Sequence, residues 1–313
     1  AKTAPETPEA SFMLTDEVVA FDNRSHTIKT IISVRLKEYA GLQEAYQDAE
    51  LRARLIMQKI QLPMRLRPEA RLPDALPELQ SNMSKEEFCR MVEKGKEQIV
   101  KGEVLQIVLS QKFSAPAVSS PLQIYRALRL QNPAPYTFFL KLGELALLGS
   151  SPETMVKLEN RCSSLRPIAG TRRRGRSESE DRALADELLK DEKERAEHIM
   201  LVDLGRHDLG RHALPNSVQV KSFMRVERYS QVMHLVSDLE AILAPEYDAF
   251  DLLQAALPAG TLSGSPKTRA MQLINELEPE ARGVYGGAVG YFSYNGNMDL
   301  CITIRTIEIR NGK

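Results

Sequence analysis

The dipeptide Asn295-Gly296 is the feature of the sequence that most constrains the fold. It lies between two β-rich runs, residues 286–293 and 298–309. Asn-Gly between such runs is a strong signal for a tight hairpin turn, and the strands that a hairpin joins pair antiparallel. We therefore predict an antiparallel hairpin near the end of the chain.

The chain ends soon after a second turn signal, Asn311-Gly312. A strand that enters a turn without a returning partner leaves an unpaired edge. We therefore expect the chain to stop in the middle of a hairpin, so that its main domain is truncated at the C-terminus.

The first part of the chain has the pattern of a separate segment. β-rich runs on both sides of residues 22–25 predict a hairpin, and residues 41–60 have the spacing of an amphipathic helix. Residues 62–77 carry four prolines without periodicity, which is typical of a linker. We predict an N-terminal remnant at 1–80 and the main domain at 81–313.

Charge and cysteine usage exclude several classes of protein. The 42 basic and 42 acidic residues cancel, and no Lys/Arg block stands apart, so the sequence does not favour a nucleic-acid binder. Cys89, Cys162 and Cys301 are too far apart for a zinc or disulfide framework, so we expect buried thiols in a reducing compartment. No apolar run is long enough to cross a bilayer. We expect a cytoplasmic protein without a membrane partner.

Gln106 is a polar residue in an otherwise apolar run. Residues 104–110 have the composition of a strand, and alternation places the Gln106 side chain on one face of it. A capping box, formed by Ser84 and Glu87, predicts the start of an amphipathic helix that precedes this strand.

Glu153 lies at the junction of two predicted strands, 145–148 and 155–158. A carboxylate at such a junction is most simply a solvated turn residue. The alternative is a general acid, which needs a carboxyl group held partly out of water.

Glu194 and Glu197 lie one turn apart on a predicted helix, and Leu201 and Leu204 continue the same face. Like charges at this spacing repel each other, so the arrangement favours a cation close to them. Hard oxygen ligands of this kind suit Mg²⁺. The alternative is a charged, frayed helix end.

Residues 260–267 form a glycine-containing loop before a predicted helix. Ser265 fits the N-cap position and Pro266 the first helical position. Glycines before a helix N-terminus let backbone N–H groups approach an anion, but the spacing is not that of a nucleotide P-loop. A carboxylate or phosphate site and an ordinary capped turn are both open interpretations.

His234 and Arg305 are the remaining candidate site residues. His234 is predicted on a strand face with Val232 and Val236, where a histidine is usually a satisfied core residue. Arg305 is predicted on the face of Cys301, where it could pair bidentately with a carboxylate or form a surface pair across the hairpin.

Five motifs occur in an order that resembles the chorismate-binding enzyme family. Several long motifs in one order are far more specific than any motif alone. The resemblance extends from about Phe12 to the last residue, and it implies an α+β fold with two antiparallel-rich β-sheets packed face to face and helices outside. The motifs are residues 166–172, 196–204, 232–236, 260–267 and 285–291.

The resemblance implies a role for each candidate. In that family Mg²⁺ bridges helix glutamates and a carboxylate of chorismate, which implies Glu197 as a metal ligand and Glu194 as its neighbour. Glu153 matches the acid near the departing C4 hydroxyl, and His234 with Thr261 matches groups near the ring where pyruvate is eliminated. The implied substrate-binding residues are Gln106, Ala169, Gly170, Thr171, Tyr285 and Arg305.

Gln106 and Ala169 separate the subfamilies. Relatives that add water at C2 carry lysine at the first position, and aminodeoxychorismate synthases commonly carry lysine at the second. This chain has neither lysine, so it resembles the anthranilate synthase type, which opens tryptophan biosynthesis. The resemblance implies the reaction of that type, in which ammonia from a glutamine amidotransferase subunit attacks C2 of chorismate. Its products are anthranilate and pyruvate.

The resemblance also has departures and alternatives. His207 stands where the family usually has asparagine, which we interpret as variation at a helix end. Pro135, Tyr136 and Thr137 match part of a tryptophan effector site that often has methionine at the last position. Open alternatives are an isochorismate or aminodeoxychorismate synthase, or a catalytically dead module that docks a partner. The cut hairpin favours the last of these and predicts little activity without an extension.

Overall fold

The computed structural model describes residues 8–63 and 77–312. The chain divides into two compact units, one within residues 8–71 and the other within residues 72–313. The linker predicted at 62–77 lies almost entirely outside the described residues, so the boundary at residue 80 stays a prediction.

The smaller unit contains the predicted hairpin and helix. Strand β1 (Glu17–Asp22) pairs antiparallel with β2 (Thr27–Ile32). The Asp22 carboxylate accepts hydrogen bonds from two backbone N–H groups of the turn, a local arrangement that favours a turn over a continued strand. After a 3₁₀ turn at Leu36–Glu38, helix α1 spans Leu42–Gln61.

The larger unit contains the remaining elements. Its helices are α2 (Lys85–Val100), α3 (Pro121–Gln131), α4 (Glu178–Lys190), α5 (Glu192–Gly210), α6 (Ala249–Ala256) and α7 (Lys267–Leu277), with a 3₁₀ turn at Gly260–Leu262. Its strands are β3 (Gln80–Ser81), β4 (Gln106–Ile107), β5 (Phe113–Ser114), β6 (Tyr136–Leu142), β7 (Leu145–Ser151), β8 (Thr154–Glu159), β9 (Cys162–Leu165), β10 (Ile168–Arg173), β11 (Gln219–Arg228), β12 (Val232–Ile242), β13 (Gly264–Ser265), β14 (Ala288–Phe292), β15 (Met298–Ile302) and β16 (Thr306–Arg310).

Antiparallel sheets dominate this unit. A seven-stranded sheet has the order β10-β12-β9-β8-β15-β14, with β11 also paired to β12, and a three-stranded sheet has the order β16-β7-β6. The short strands form two separate pairs, β4 with β13 and β3 with β5. The predicted α+β class with antiparallel sheets is confirmed. Within the described part of the chain, no helix combines the length and apolarity that crossing a membrane requires.

The main core packs the seven-stranded sheet against α5 and α6. Leu239 of β12, Leu300 of β15, Val202 of α5 and Leu252 of α6 all belong to it and are buried. Burying such a side chain contributes about 1.5–3 kcal/mol relative to leaving it exposed. Helix α3 packs against the three-stranded sheet in a second cluster around Leu148.

The chain crosses between the two sheets at two adjacent points. One crossing connects β7 to β8 and carries Glu153, and the other connects β15 to β16 and carries Arg305. The crossings are bonded to each other, since Ser150 N–H donates to the Arg305 carbonyl at 3.1 Å and Ile302 N–H donates to the Glu153 carbonyl at 3.0 Å. The fold thereby brings two candidates from distant parts of the sequence together.

Arg305 corrects the prediction for residues 298–309. They do not form one strand, because β15 ends at Ile302 and Arg305 has a φ of 48°, a left-handed conformation that interrupts a strand. Arg305 therefore does not share a strand face with Cys301. The Asn295-Gly296 turn itself is confirmed, since β14 pairs antiparallel with β15.

Other local predictions were also wrong. The strand predicted at 104–110 is limited to Gln106–Ile107, because its partner β13 is only two residues long. Pro266, not Ser265, occupies the N-cap position of α7, since the Ser265 backbone pairs with Gln106 in β13. Cys89 is exposed, whereas we expected a buried thiol. The capping box at the start of α2 is confirmed.

Candidate active site

Eight of the predicted site residues line one cavity in the larger unit. The cavity has a volume of about 360 Å³, which is within the range of small-molecule pockets. Its walls come from β4, β10, α5, the β7–β8 crossing and the 3₁₀ turn before β13. The eight residues are Gln106, Glu153, Ala169, Gly170, Thr171, Glu194, Glu197 and Thr261.

Gly170 shapes one wall at a bulge in β10. The register of β10 against β12 shifts between Ala169 and Thr171, and Gly170 has a φ of 65°, which favours glycine. A Cβ atom at this position would lie 3.0 Å from Leu188 Cδ1 and 3.2 Å from Glu194 Oε2. The absence of a side chain therefore lets β10 approach the Glu194 carboxylate.

Glu194 and Glu197 form the carboxylate pair of the cavity. The Asp191 side chain caps α5 by accepting a hydrogen bond from Glu194 N–H at 3.1 Å, which fixes the first turn of the helix that carries both residues. Glu197 Oε1 accepts a hydrogen bond from Gln106 Nε2 at 2.9 Å, and Arg172 Nη1 lies 3.6 Å from Glu194 Oε1.

Glu194 and Glu197 could bind a divalent cation only together with further ligands. Among residues 8–63 and 77–312, no group of three or more His, Cys, Asp or Glu side chains is arranged to hold a metal ion. Mg²⁺ in proteins commonly takes one or two carboxylates and completes its shell with water or substrate oxygens. Glu194 and Glu197 are the residues that could supply these two carboxylates.

Glu153 is the carboxyl group whose environment favours the protonated form. Burial raises the pKa of Glu153 to about 7, and the nearby Thr261 hydroxyl and Arg305 guanidinium only partly oppose this effect. The Thr261 hydroxyl is buried and makes no hydrogen bond of good geometry within the described residues. Glu153 can therefore carry a proton near neutral pH, as a general acid must.

His234 lies behind the bulge of β10. Its Nδ1 is 3.0 Å from the Gly170 carbonyl oxygen and 3.1 Å from Thr171 Oγ1. Because a carbonyl oxygen only accepts hydrogen bonds, we assign the hydrogen of the neutral ring to Nδ1. The lone pair is then on Nε2, the nitrogen that can accept a proton.

His234, Tyr285 and Arg305 do not line the cavity. The Arg305 charge still acts on Glu153, and its Nη1 lies 3.4 Å from Asn132 Oδ1. Tyr285 is 36% exposed, and its ring lies under the guanidinium of Arg282 at 5.4 Å. Their predicted contacts with substrate stay predictions.

The suggested effector residues lie at the start of β6. The hydroxyl of Tyr136 donates to Asp299 Oδ1 at 2.9 Å and is 2.9 Å from Thr154 Oγ1, while burial raises the pKa of Tyr136 to about 12. Pro135 is exposed and Thr137 is half-buried. A tryptophan site at these residues stays a prediction.

Sequence reasoning missed a buried ion pair between α5 and the start of α7. Lys267 Nζ donates to Asp208 Oδ2 at 2.6 Å and to the Ala256 carbonyl at 3.1 Å, and the two charged side chains are 12% and 11% exposed. Burial lowers the pKa of Lys267 and raises that of Asp208. The pair fixes the end of the loop that carries Thr261, and its only sequence signal is a lysine just after a predicted turn.

The chain belongs to the chorismate binding enzyme family, whose model matches residues 1–313. It is 49% identical over 301 residues to anthranilate synthase component 1 of Aquifex aeolicus, covering 96% of this chain and 60% of that protein. It is 47% identical over 312 residues to anthranilate synthase component 1 of Acetivibrio thermocellus, covering 98% of this chain and 63% of that protein. The chain thus spans less than two thirds of the length of these curated relatives.

The fold is also similar to that of a solved structure. The crystal structure of anthranilate synthase component I from Streptococcus pneumoniae TIGR4 aligns with a TM-score of 0.85 and 38% sequence identity. The alignment covers 98% of this chain and 69% of that chain. The arrangement of helices and antiparallel sheets is therefore shared along nearly the whole of the sequence described here.

Proposed function

We propose that this chain carries the catalytic site of an anthranilate synthase, which converts chorismate and ammonia into anthranilate and pyruvate in the cytoplasm. The observation that carries the proposal is the composition of one cavity. It contains a carboxyl group with a raised pKa, a separate pair of carboxylates and the uncharged side chain of Gln106. Relatives with 49% and 47% identity bear the name of this enzyme component.

The carboxylate pair is proposed to bind substrate through a metal ion. Chorismate carries two carboxylates, which Glu194 and Glu197 alone would repel. Mg²⁺ held by these two residues would supply the positive charge that lets a substrate carboxylate enter a site lined by acids. The amide of Gln106 orients Glu197 for this role through its hydrogen bond.

Glu153 is proposed to protonate the leaving group. As the nitrogen of ammonia forms a bond to C2, the C1–C2 double bond moves to C1–C6, the C5–C6 double bond moves to C4–C5, and the C4–O bond breaks. The added nitrogen then releases its extra proton to solvent. A proton from Glu153 converts the departing hydroxide into water, which removes the need to expel a strong base. A pKa of about 7 keeps part of the Glu153 population protonated at neutral pH.

His234 is proposed to accept the proton in the second half of the reaction. When C2 loses its proton to His234 Nε2, the electron pair completes the aromatic ring and the C3–O bond breaks to release enolpyruvate, which takes up a proton on its CH₂ carbon to become pyruvate. The hydrogen bond from Nδ1 to the Gly170 carbonyl holds the ring in the required tautomer. Thr261 lines the cavity together with Glu153, whereas His234 reaches it only through its contacts with Gly170 and Thr171.

Ammonia rather than water is the proposed nucleophile. Gln106 has no titratable group that could take a proton from water, and Ala169 supplies no amine, whereas ammonia brings its own lone pair. A glutamine amidotransferase subunit is the proposed partner, because it releases ammonia next to the site.

Chromatography of the products tests this function. The protein is incubated with chorismate and Mg²⁺, with and without ammonium or glutamine plus the amidotransferase. We expect anthranilate and pyruvate only where a nitrogen source is present. Isochorismate or 4-amino-4-deoxychorismate as the main product would refute the proposal. A module that only docks a partner would show no Mg²⁺-coupled chorismate binding by calorimetry.

A further inference from the structure

The cavity residue Gln106 lies on a short ribbon that is separate from both large sheets, and the cavity residue Thr261 lies in the 3₁₀ turn just before that ribbon. The ribbon consists of β4 and β13, which pair through only two residues each. Two hydrogen bonds extend it, from Leu105 N–H to the Ser265 carbonyl at 2.7 Å and from Val108 N–H to the Ser263 carbonyl at 3.0 Å. So short a ribbon needs other contacts to hold its position.

Gly264 allows the two segments to approach closely. Its φ is 138°, and a Cβ atom there would lie 2.1 Å from the carbonyl oxygen of Gln106. Ile107 packs beneath the ribbon in a small apolar cluster with Ala270 and Leu273 of α7. Apolar packing is not directional, so it does not by itself fix where the ribbon segments lie along the cavity wall.

Glu278 and Arg282 provide directional contacts to both segments. The Glu278 carboxylate is 4% exposed and accepts hydrogen bonds from Ser110 N–H at 2.8 Å and Ser110 Oγ at 2.9 Å. Arg282 Nη1 donates to the Leu262 carbonyl at 2.5 Å, and Nη2 donates to the Val108 carbonyl at 2.6 Å.

The same two side chains are paired with each other. Arg282 Nη2 donates to Glu278 Oε1 at 2.6 Å and Nε donates to Oε2 at 3.0 Å. The planar guanidinium thus uses its fixed fork of N–H groups on one carboxylate and on carbonyls of two different segments. Its positive charge also faces the ring of Tyr285, 5.4 Å away, an attractive cation–π arrangement.

These contacts lie next to functional positions in the chain. Val108 is two residues after Gln106, and Leu262 directly follows Thr261. The proposed roles of the site do not use either charged group, yet Glu278 is buried, Arg282 is half-buried, and both are bonded to the backbone that carries cavity residues. Ion pairs of this kind often contribute little net stability, so their retention is better explained by the position that they fix.

We propose that Glu278 and Arg282 are positioning residues, which fix the spacing of Gln106 and Thr261 across the cavity. Neither side chain touches substrate in this account. The pair acts through the carbonyls of Val108 and Leu262 and through Ser110, so that loosening it moves both cavity residues at once. The catalytic consequence rests on the proposed anthranilate synthase function, whereas the structural consequence does not.

The test compares three variants with the parent. R282K keeps the charge but cannot reach three acceptor groups in the fork geometry, E278Q keeps the shape without the charge, and S110A removes only one hydroxyl. R269K is the matched control, because Arg269 also joins α7 to the residues before β4 through Glu103, at 2.7 Å, in a pair whose side chains are 35% and 43% exposed.

Amide hydrogen exchange of residues 104–110 and 260–266 is measured first, since it needs no substrate. We expect exchange in these segments to accelerate in R282K and E278Q and less in S110A, with R269K like the parent. S110A is the mildest change and keeps the measurement informative if a charge variant does not fold. Unchanged exchange in all folded variants overturns the proposal whatever the protein's activity.

Steady-state kinetics follows in a parent that forms anthranilate. A displacement of about 1 Å at a reacting site lowers rates by up to about 100-fold. We therefore expect R282K to lower kcat by about 10- to 100-fold with a smaller change in KM, and R269K to leave both unchanged. Equal kcat in R282K and R269K overturns the proposal. A parent that forms no anthranilate instead contradicts the proposed function, and the exchange result then decides this inference alone.

Discussion

The two acidic sides of the cavity use the same side chain in different environments. Glu153 is in a desolvated position beside the Thr261 hydroxyl, and burial raises its pKa to about 7. Glu194 and Glu197 lie on α5 with donors close by, the Gln106 amide at 2.9 Å from Glu197 and Arg172 at 3.6 Å from Glu194. The comparison teaches that the surroundings of a glutamate, and not its residue type, favour the proposed general-acid role on one side and the proposed metal-binding role on the other.

The difference follows from how each element is built. Glu153 lies where the chain crosses between two sheets, and burial there raises its pKa more than the Thr261 hydroxyl and the Arg305 charge lower it. Glu194 lies in the first turn of α5, where the helix dipole favours a negative charge. Glu197 is one turn further along the same face.

The largest expected effect comes from removing one charge of the pair. Glu197→Gln should abolish Mg²⁺-dependent binding of chorismate and leave the fold intact, because a metal ligand is lost while the side-chain volume is kept. Calorimetry of Mg²⁺ and chorismate binding measures this. The control is Glu192→Gln, an exposed position on the same helix outside the cavity. Mg²⁺ affinity equal to that of the parent would refute the assignment.

Removing the acid should affect turnover rather than binding. Glu153→Gln should lower kcat by about 10²- to 10⁴-fold, the usual contribution of a general acid, with Mg²⁺-dependent binding kept. Steady-state kinetics with ammonium measures it. The control is Glu144→Gln, an exposed position in the turn between β6 and β7. If Glu153→Gln instead removed metal binding, the division between the two sides would be wrong.

Glu153→Gln should lower activity but raise the stability of the folded protein above neutral pH. The pKa of Glu153 rises in the folded state from 4.5 to about 7, so the folded protein binds the extra proton and stability falls as pH rises through this window. Glu153→Gln removes that loss and should raise the free energy of unfolding by about 1–3 kcal/mol at pH 8, after allowance for partial solvent screening. Urea unfolding should show no such gain below about pH 4.5.

A smaller effect is expected from adding a methyl group at Gly170 of β10, beside the Glu194 carboxylate. Gly170→Ala should cost about 1–2 kcal/mol for its positive φ and should also weaken Mg²⁺-dependent binding, because the new methyl group would lie 3.2 Å from Glu194 Oε2. Gly143→Ala is a matched control, since Gly143 has a φ of 61° and nothing within 4 Å of the added methyl. Similar losses of binding in both variants would show that contact with Glu194 is unimportant.

Local patterns predicted the elements but not their assignment to sheets. The turn at Asn295-Gly296 and the cap formed by Ser84 depend on neighbouring residues, so the sequence was sufficient for them. The break at Arg305 was not predictable in this way. Residues on both sides of it have the same β-rich composition, and the change of sheet depends on the pairing of β16 with β7.

The site shows the same limit. The motif resemblance identified the eight cavity residues, while spacing alone justified only the pairing of Glu194 with Glu197. The stretch 276–282 looks like an exposed charged surface, yet Glu278 is buried because it bonds Ser110, 168 positions earlier in the chain. Contacts across such a distance are not encoded in a local pattern.

The pH dependence of kcat tests the central claim, that Glu153 supplies the proton in the cavity. The rate is measured across neutral pH with saturating chorismate and Mg²⁺, while total ammonium is adjusted to keep the concentration of neutral ammonia constant. The account predicts that parent kcat falls about tenfold per pH unit above the Glu153 pKa of about 7, and that Glu153→Gln removes this fall. A parent profile that stays flat through this range, or an equal fall in Glu153→Gln, would contradict it.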